Sequence, residues 1–186
     1  MAFAVVFYFD PATDASVRAL WNRIAQAGIS TVMATMGIRP HISLAGIESV
    51  GLEVGSFYRE LEAFAKSTAP LTVNLSAVGT FPTAQGVVYL APVVSAELLK
   101  LHLAFHARLT DLGLTSTEYY RPEQWVPHCT VAINLPPDSV PAAVAVSRAS
   151  DVFHKARLVE IALVEYMPIK EIGVFLLEGQ TLTPST

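Results

Sequence analysis

Two stretches of this chain carry the same pattern, Arg39-Pro40-His41-Ile42-Ser43-Leu44-Ala45 and Val126-Pro127-His128-Cys129-Thr130-Val131-Ala132. Each reads Pro-His-x-(Ser/Thr)-aliphatic-Ala. With 12 Pro, 5 His and 27 Ser and Thr among 186 residues, chance copies of Pro-His-x-(Ser/Thr) number roughly 0.05. The two copies are therefore read as one structural solution used twice. Side chains alternate along a strand. His41, Ser43 and Ala45 then share one face and Ile42 and Leu44 the other; His128, Thr130 and Ala132 share one face, and Cys129, Val131 and Ile133 the other. Each segment is apolar behind and polar in front, which requires sheets covered on one side and open on the other.

The rest of the chain supplies such sheets. Residues 3–9 predict a buried strand, with Phe7 and Phe9 on a core face beside Phe3 and Val5, and Asp10-Pro11 ends it. Val17, Leu20, Trp21, Ile24 and Ala25 at helical spacing predict a helix over 12–28, followed by a loop over 30–37 and a second strand over 40–47. A helix over 52–67 carries Val54, Phe57, Leu61 and Phe64 on one face and stops before Pro70. Alternating segments over 71–78 and 86–93 form a hairpin around 79–85. Ser95 caps a helix that ends at Gly113, with Leu98, Leu101, Phe105, Leu109 and Leu112 as its core stripe, and 114–125 is a loop. Next come a strand over 127–135 and a helix from Pro136-Pro137-Asp138 to about Phe153. Two paired strands follow over 156–166 and 169–177, turning at Met167-Pro168, and Thr181 to Thr186 frays. Strands and helices interleave and hairpins recur. The expected class is α+β with largely antiparallel sheets, not a doubly wound parallel fold.

Hydrophobic residues make up 52% of the chain and charged residues 15%, enough for a sizeable core in one domain. No apolar run nears the ~20 residues of a membrane helix. The apolar start has no basic flank and stops at Asp10-Pro11, so it reads as a strand, not a signal peptide, and the expected location is cytoplasmic. A single cysteine excludes an internal disulfide and a Cys-rich zinc site. The net charge of −4 argues against long nucleic acid, because phosphate contacts draw on Lys and Arg. It leaves room for a small phosphate ligand held by a few groups.

If the two repeat strands face each other, two imidazoles and two hydroxyls meet in one cleft. That set suits a phosphodiester. A neutral His takes a proton from the attacking water or hydroxyl, and a charged His gives one to the departing oxygen. The hydroxyls donate to the non-bridging oxygens, and an ordinary imidazole pKa of ~6.5 serves both proton roles. Zinc is the competing reading of two histidines. Ser and Thr are poor ligands, however, and no Cys, Asp or Glu sits at ligand spacing beside either His, so no metal or cofactor is expected.

Residues outside the repeat have plainer readings. His102 and His106, four apart on a helix, read as polar residues flanking the core stripe. His154 sits at a helix end, where the dipole favours a cation. Cys129 points away from the site by alternation and reads as a small core residue. Arg39, Arg121 and Lys170 are candidate phosphate contacts, with Arg39 the best placed. Tyr8, Phe81, Tyr119, Tyr120 and Trp125 are candidates to stack on a base. No Gly-x-Gly-x-x-Gly, phosphate loop or Gly-x-Ser-x-Gly occurs.

The double His-x-(Ser/Thr) resembles that of the 2H phosphoesterase superfamily, in particular its bacterial 2′-5′ RNA ligase-like members. Val78-Gly79-Thr80-Phe81-Pro82 followed by Gly86-Val87-Val88-Tyr89-Leu90 is similar to the family's Gly-x-Phe-Pro loop and the strand after it, and Trp125-Val126-Pro127 resembles the lead-in to the second motif. The resemblance implies a bilobal fold with pseudo-twofold symmetry about a central cleft, residues 1–186 forming one domain of two interleaved lobes. It implies metal-independent action on 2′,3′-cyclic phosphates or 2′-5′ phosphodiesters of nucleotides or short RNA ends, by hydrolysis or by ligation in reverse. His41 and His128 would be the acid–base pair, and Ser43 and Thr130 would hold the phosphate. A monomer with no membrane partner is expected. The alternative is a non-catalytic nucleotide-binding module using the same cleft, which has no need of both imidazoles.

Overall fold

The computed structural model describes residues 2–48, 53–166 and 168–180. The elements run β1 (Ala2–Phe9), α1 (Pro11–Gln26), α2 (Val32–Thr35), β2 (His41–Glu48), α3 (Val54–Ser67), β3 (Leu71–Thr80), β4 (Val88–Pro92) and α4 (Ala96–Asp111). They continue with β5 (Cys129–Ala132), α5 (Val140–Arg148), β6 (Lys155–Tyr166) and β7 (Lys170–Leu176), and short 3₁₀ turns occur at Glu118–Tyr120 and Pro137–Ser139.

Local chemistry sets the helix starts. The Asp10 carboxylate accepts the Ala12 and Thr13 N–H groups at 3.1 Å each, while Pro11 fills a first-turn position that needs no donor. Its second oxygen accepts the Arg157 N–H at 2.8 Å, which ties the start of α1 to β6. Ser95 caps α4 by accepting the Leu98 N–H at 3.2 Å.

Seven strands form one antiparallel sheet in the order β2-β1-β6-β3-β4-β5, with β7 beside the second half of β6. The twelve-residue β6 is the spine. It pairs with β1 from Leu158 to Tyr166, with β3 from Lys155 to Leu158, and with β7 from Glu160 to Glu165. The sheet thus has two halves, β2-β1-β6-β7 and β3-β4-β5, joined through a short β3–β6 ladder. β2 and β5 stand at opposite ends of the order yet come into contact, because the twisted sheet curls and brings its ends together. The back is packed by helices: Phe3, Val5, Phe7 and Phe9 of β1 meet Leu20 and Ile24 of α1, Phe57, Leu61 and Phe64 of α3, and Phe105 and Leu109 of α4. A smaller cluster, Ala4, Val6, Tyr8, Ala162 and Val164, occupies the other face.

The α+β antiparallel class is as expected, and three boundaries are corrected. The strand over 127–135 contracts to Cys129–Ala132. The helix expected to reach Phe153 stops at Arg148, where the chain turns to bury Val152. The loop over 30–37 contains α2, whose single buried residue, Met33, is too little for periodicity to reveal. The expected helix start at Leu52, the turn residue Met167 and the tail Thr181–Thr186 lie outside the described residues. Among the described residues no helix is long and apolar enough to cross a membrane.

Candidate active site

The two motifs open on the strands at the two ends of the sheet order. His41 stands opposite Tyr8 and Ser43 opposite Val6 in the β1–β2 ladder, and Thr130 stands opposite Tyr89 in the β4–β5 ladder. Each ladder slips just past the hydroxyl residue. Pairing steps from Val6–Ser43 to Val5–Ala45, leaving out Leu44, and from Tyr89–Thr130 to Val88–Ala132, leaving out Val131. A bulge of this kind bends its strand and re-aims the neighbouring side chains.

The imidazoles are oriented identically. Nδ1–H of His41 donates to the Arg39 carbonyl at 2.7 Å, and Nδ1–H of His128 donates to the Val126 carbonyl at 2.7 Å. A carbonyl can only accept, so Nδ1 carries the proton of the neutral ring and Nε2 is left bare. Burial, aided by the nearby charge of His128, lowers His41 to about 4. Burial likewise lowers His128, against the pull of its bond to Val126. Both rings are therefore neutral at pH 7.

Different walls flank the two rings. Phe81 stacks on Tyr89 with centroids 4.5 Å apart, and His128 meets Phe81 edge-on at 4.9 Å and Tyr89 at 5.3 Å. This box depends on Gly79: a Cβ there would come within 2.5 Å of the Tyr89 ring, which lies directly over the strand. On the His41 side, the Arg39 guanidinium sits over the Tyr8 ring at 4.0 Å and pairs with Glu160 at 2.7 Å. The Tyr120 phenol lies against the Ser43 hydroxyl, with Tyr166 beside it, and burial raises both phenols so that they stay neutral.

Several sequence expectations are redirected. Trp125 is no free stacking platform: one face lies flat on His102 at 3.9 Å, and its Nε1–H donates to the Ser43 carbonyl at 2.9 Å. Arg39 is neutralised by Glu160, and Arg121 donates Nε–H to the Ser116 carbonyl at 2.8 Å. Tyr119 is 79% exposed, and Lys170 is exposed at the start of β7. Cys129 is buried with its thiol pushed up to about 12 by burial, which suits a core residue and not a nucleophile. His154 donates Nδ1–H to the Asp151 carbonyl at 3.1 Å.

His102 and His106 do not flank the α4 stripe; they are part of it, with Leu98, Phe105 and Leu109. Nε2–H of His102 donates to the Tyr120 carbonyl at 2.9 Å, and Nε2–H of His106 donates to the Leu44 carbonyl at 3.2 Å. Among the described residues no three His, Cys, Asp or Glu side chains gather round a common point. Sequence reading also missed Tyr89, because Gly79, expected in the loop over 79–85, lies within β3, where its missing Cβ makes room for the Tyr89 ring. It missed the role of Trp21 as well, whose Nε1–H donates to the Thr130 carbonyl at 3.1 Å.

Burial lowers His102 to about 4. The unfolded chain, with an ordinary imidazole, binds a proton that the folded chain refuses, so stability is full above pH ~6.5 and falls as pH drops toward 4. For His102, only 2% exposed, the loss is about 3 kcal/mol. Thermal melts from pH 7.5 to 4 are expected to show it, with a flatter dependence in His102→Gln; a midpoint unchanged across that range rules it out.

The model of the 2'-5' RNA ligase superfamily matches residues 9–167. The chain belongs to this superfamily. No curated protein matches the sequence. Among solved structures, TT0787 of Thermus thermophilus is 17% identical at a TM-score of 0.64, the match covering 97% of this chain and 100% of that one. E. coli LigT complexed with 3'-AMP is 15% identical at 0.59, covering 94% of this chain and 97% of LigT. At such identities the likeness is one of fold: helices and antiparallel strands in a similar arrangement.

Proposed function

We propose that this protein is a phosphoesterase in which His41 and His128 move protons while Ser43 and Thr130 hold the reacting phosphate. It acts without metal on 2′,3′-cyclic phosphates or 2′-5′ phosphodiesters of nucleotides or short RNA ends. The observation that carries the reading is the matched pair of imidazoles, each with Nδ1–H fixed to the carbonyl two residues back and Nε2 bare. In hydrolysis, water attacks phosphorus and one Nε2 takes its proton. The other ring, as imidazolium, gives its Nε2 proton to the departing ribose oxygen. One P–O bond forms, one breaks, and the product is a ribose phosphomonoester. The rings end with their protonation exchanged, and solvent restores them. Ligation is the same displacement with a 5′-hydroxyl in place of water: its oxygen bonds to the phosphorus of the cyclic phosphate and gives its proton to one ring, the P–O3′ bond breaks, and the 3′-oxygen takes the proton of the other ring, leaving a 2′-5′ phosphodiester.

A short ligand is favoured. Arg39, the cation nearest His41 in sequence, is already paired with Glu160, so the site suits one phosphodiester charge better than a long polyanion. E. coli LigT structures hold 3'-AMP, phosphate, ATP or NADP+, which supports a nucleotide-sized occupant here. The two halves of the chain are proposed to work as one unit, because each contributes one motif.

The test is turnover of a panel of 2′,3′-cyclic nucleotides in EDTA across pH 4 to 9. One ring must be charged and the other neutral, and both are lowered in the protein without substrate. The maximum of kcat/KM is therefore expected below pH 6.5. The kcat maximum is expected at higher pH, because bound phosphate favours the imidazolium. Binding of a cyclic nucleotide with no turnover would point to the binding-module alternative, and loss of activity on chelation would retire the metal-free mechanism.

A further inference from the structure

The chain has two tryptophans, and both end on the same kind of atom. Trp21 of α1 donates Nε1–H to the carbonyl of Thr130, and Trp125 donates Nε1–H to the carbonyl of Ser43. Ser43 and Thr130 are the hydroxyl residues of the two motifs, and each stands immediately before a bulge residue, Leu44 or Val131. β2 and β5 are the end strands of the sheet order. An end strand has one edge without ladder partners, and a buried carbonyl left without a donor is costly. Each indole supplies a donor at the point where the ladder slips.

The two tethers cross between the halves of the chain. Trp21 follows β1 and grips the second motif; Trp125 lies three residues before His128 and grips the first. Trp125 is itself held in place by the parallel face of His102, whose Nε2–H is engaged by the Tyr120 carbonyl. His106, its ring 4.3 Å from that of His102, takes the next carbonyl along β2, that of the bulge residue Leu44. The first motif is thus gripped at two consecutive carbonyls.

We propose that Trp21 and Trp125 are a matched pair of positioning residues whose indole N–H groups aim the hydroxyls of Thr130 and Ser43 at the reacting phosphate, each from the other half of the chain. This rests on the phosphoesterase reading above. Freeing either carbonyl lets the peptide at the bulge rotate and swings the hydroxyl that the strand carries. Hydrogen bonds tolerate only a few tenths of an ångström of such drift, and a misplacement of about 1 Å can cost ~10²-fold in rate.

The experiment is a double-mutant cycle. Trp125→Phe is expected to lower kcat/KM about tenfold. In a Ser43→Ala background the same substitution should cost less than about twofold, because there is no hydroxyl left to aim, whereas in a Thr130→Val background it should keep its full cost. Trp21→Phe should show the mirror pattern, losing its effect with Thr130→Val and keeping it with Ser43→Ala. A purely structural role would be additive in both backgrounds. Benzothienylalanine at position 125, which keeps the ring shape and lacks the N–H, isolates the hydrogen bond if phenylalanine disturbs packing. Wild-type kcat/KM in that variant, or a Trp125 loss that persists undiminished with Ser43→Ala, overturns the proposal. Should the wild-type protein turn nothing over, the phosphoesterase reading fails. The same cycle is then read on the dissociation constant of 3′-AMP by calorimetry, where the same non-additivity is expected and its absence overturns the tether.

Discussion

Alanine at His41 or at His128 is expected to lower kcat/KM on a 2′,3′-cyclic nucleotide by about 10²–10⁴-fold, and alanine at both to lower it little further. The reason lies in how each ring is held. Nδ1 is committed to a backbone carbonyl in both cases, so only Nε2 can exchange a proton with the reacting groups. Neither ring can do the other's work in one turnover, since one must accept while the other donates. Removing one breaks the cycle, and the second removal finds nothing left to break. Ser43→Ala and Thr130→Val should cost less, roughly tenfold to a hundredfold each, as a hydrogen bond to a charged oxygen contributes ~1.5–3 kcal/mol. Steady-state assays of the four single variants and the double histidine variant check this ordering. Full activity in either histidine variant would sink the paired mechanism.

Gly86→Ala is expected to lower the stability of the fold by about 2–5 kcal/mol, combining left-handed backbone strain with overpacking. Gly86 has φ +52°, and a Cβ there would stand 2.1 Å from the Leu135 carbonyl oxygen, a backbone atom with no rotamer to yield. The contact is close because the loop after β3 is laced to the segment after β5: Asn134 N–H donates to the Gln85 carbonyl at 2.8 Å and Leu135 N–H to that of Gly86 at 3.3 Å. That lacing holds the stretch carrying Phe81 beside His128, so activity should fall with stability. Gly28→Ala is the control. Its φ is +70° but nothing lies within 4 Å of the added Cβ, so it should cost only about 1–2 kcal/mol. Denaturant midpoints compare the two, and equal losses would remove the backbone overlap as the cause.

Much of this protein was legible in its residue order. The helix stripe Val17, Leu20, Trp21 and Ile24 is buried as spaced, Ser95 caps α4, and strands begin and end within a few residues of their turn signals. These are local matters, decided by side-chain period and by which residue can cap or turn a chain. The repeated Pro-His-x-(Ser/Thr) was legible for a similar reason, since alternation alone puts the imidazole and hydroxyl of each copy on one face. What residue order could not reveal is the partnership between distant segments. Nothing near Trp21 in the chain says that its N–H will meet Thr130, 109 positions away, or that Trp125 will lie flat on His102 and reach Ser43. His102 and His106 read as polar residues beside the core stripe because a buried imidazole makes sense only once the carbonyls of Tyr120 and Leu44 are opposite it. Arg39 read as a phosphate contact until Glu160, brought alongside by β6, claimed its charge. Period and capping are properties of a few neighbouring residues, so the chain order alone determined both motifs and the elements other than the short α2, with the ends of β5 and α5 left to the fold. Hydrogen-bond satisfaction and charge pairing inside a fold depend on what the curled sheet brings into contact, and only the tertiary structure decided those.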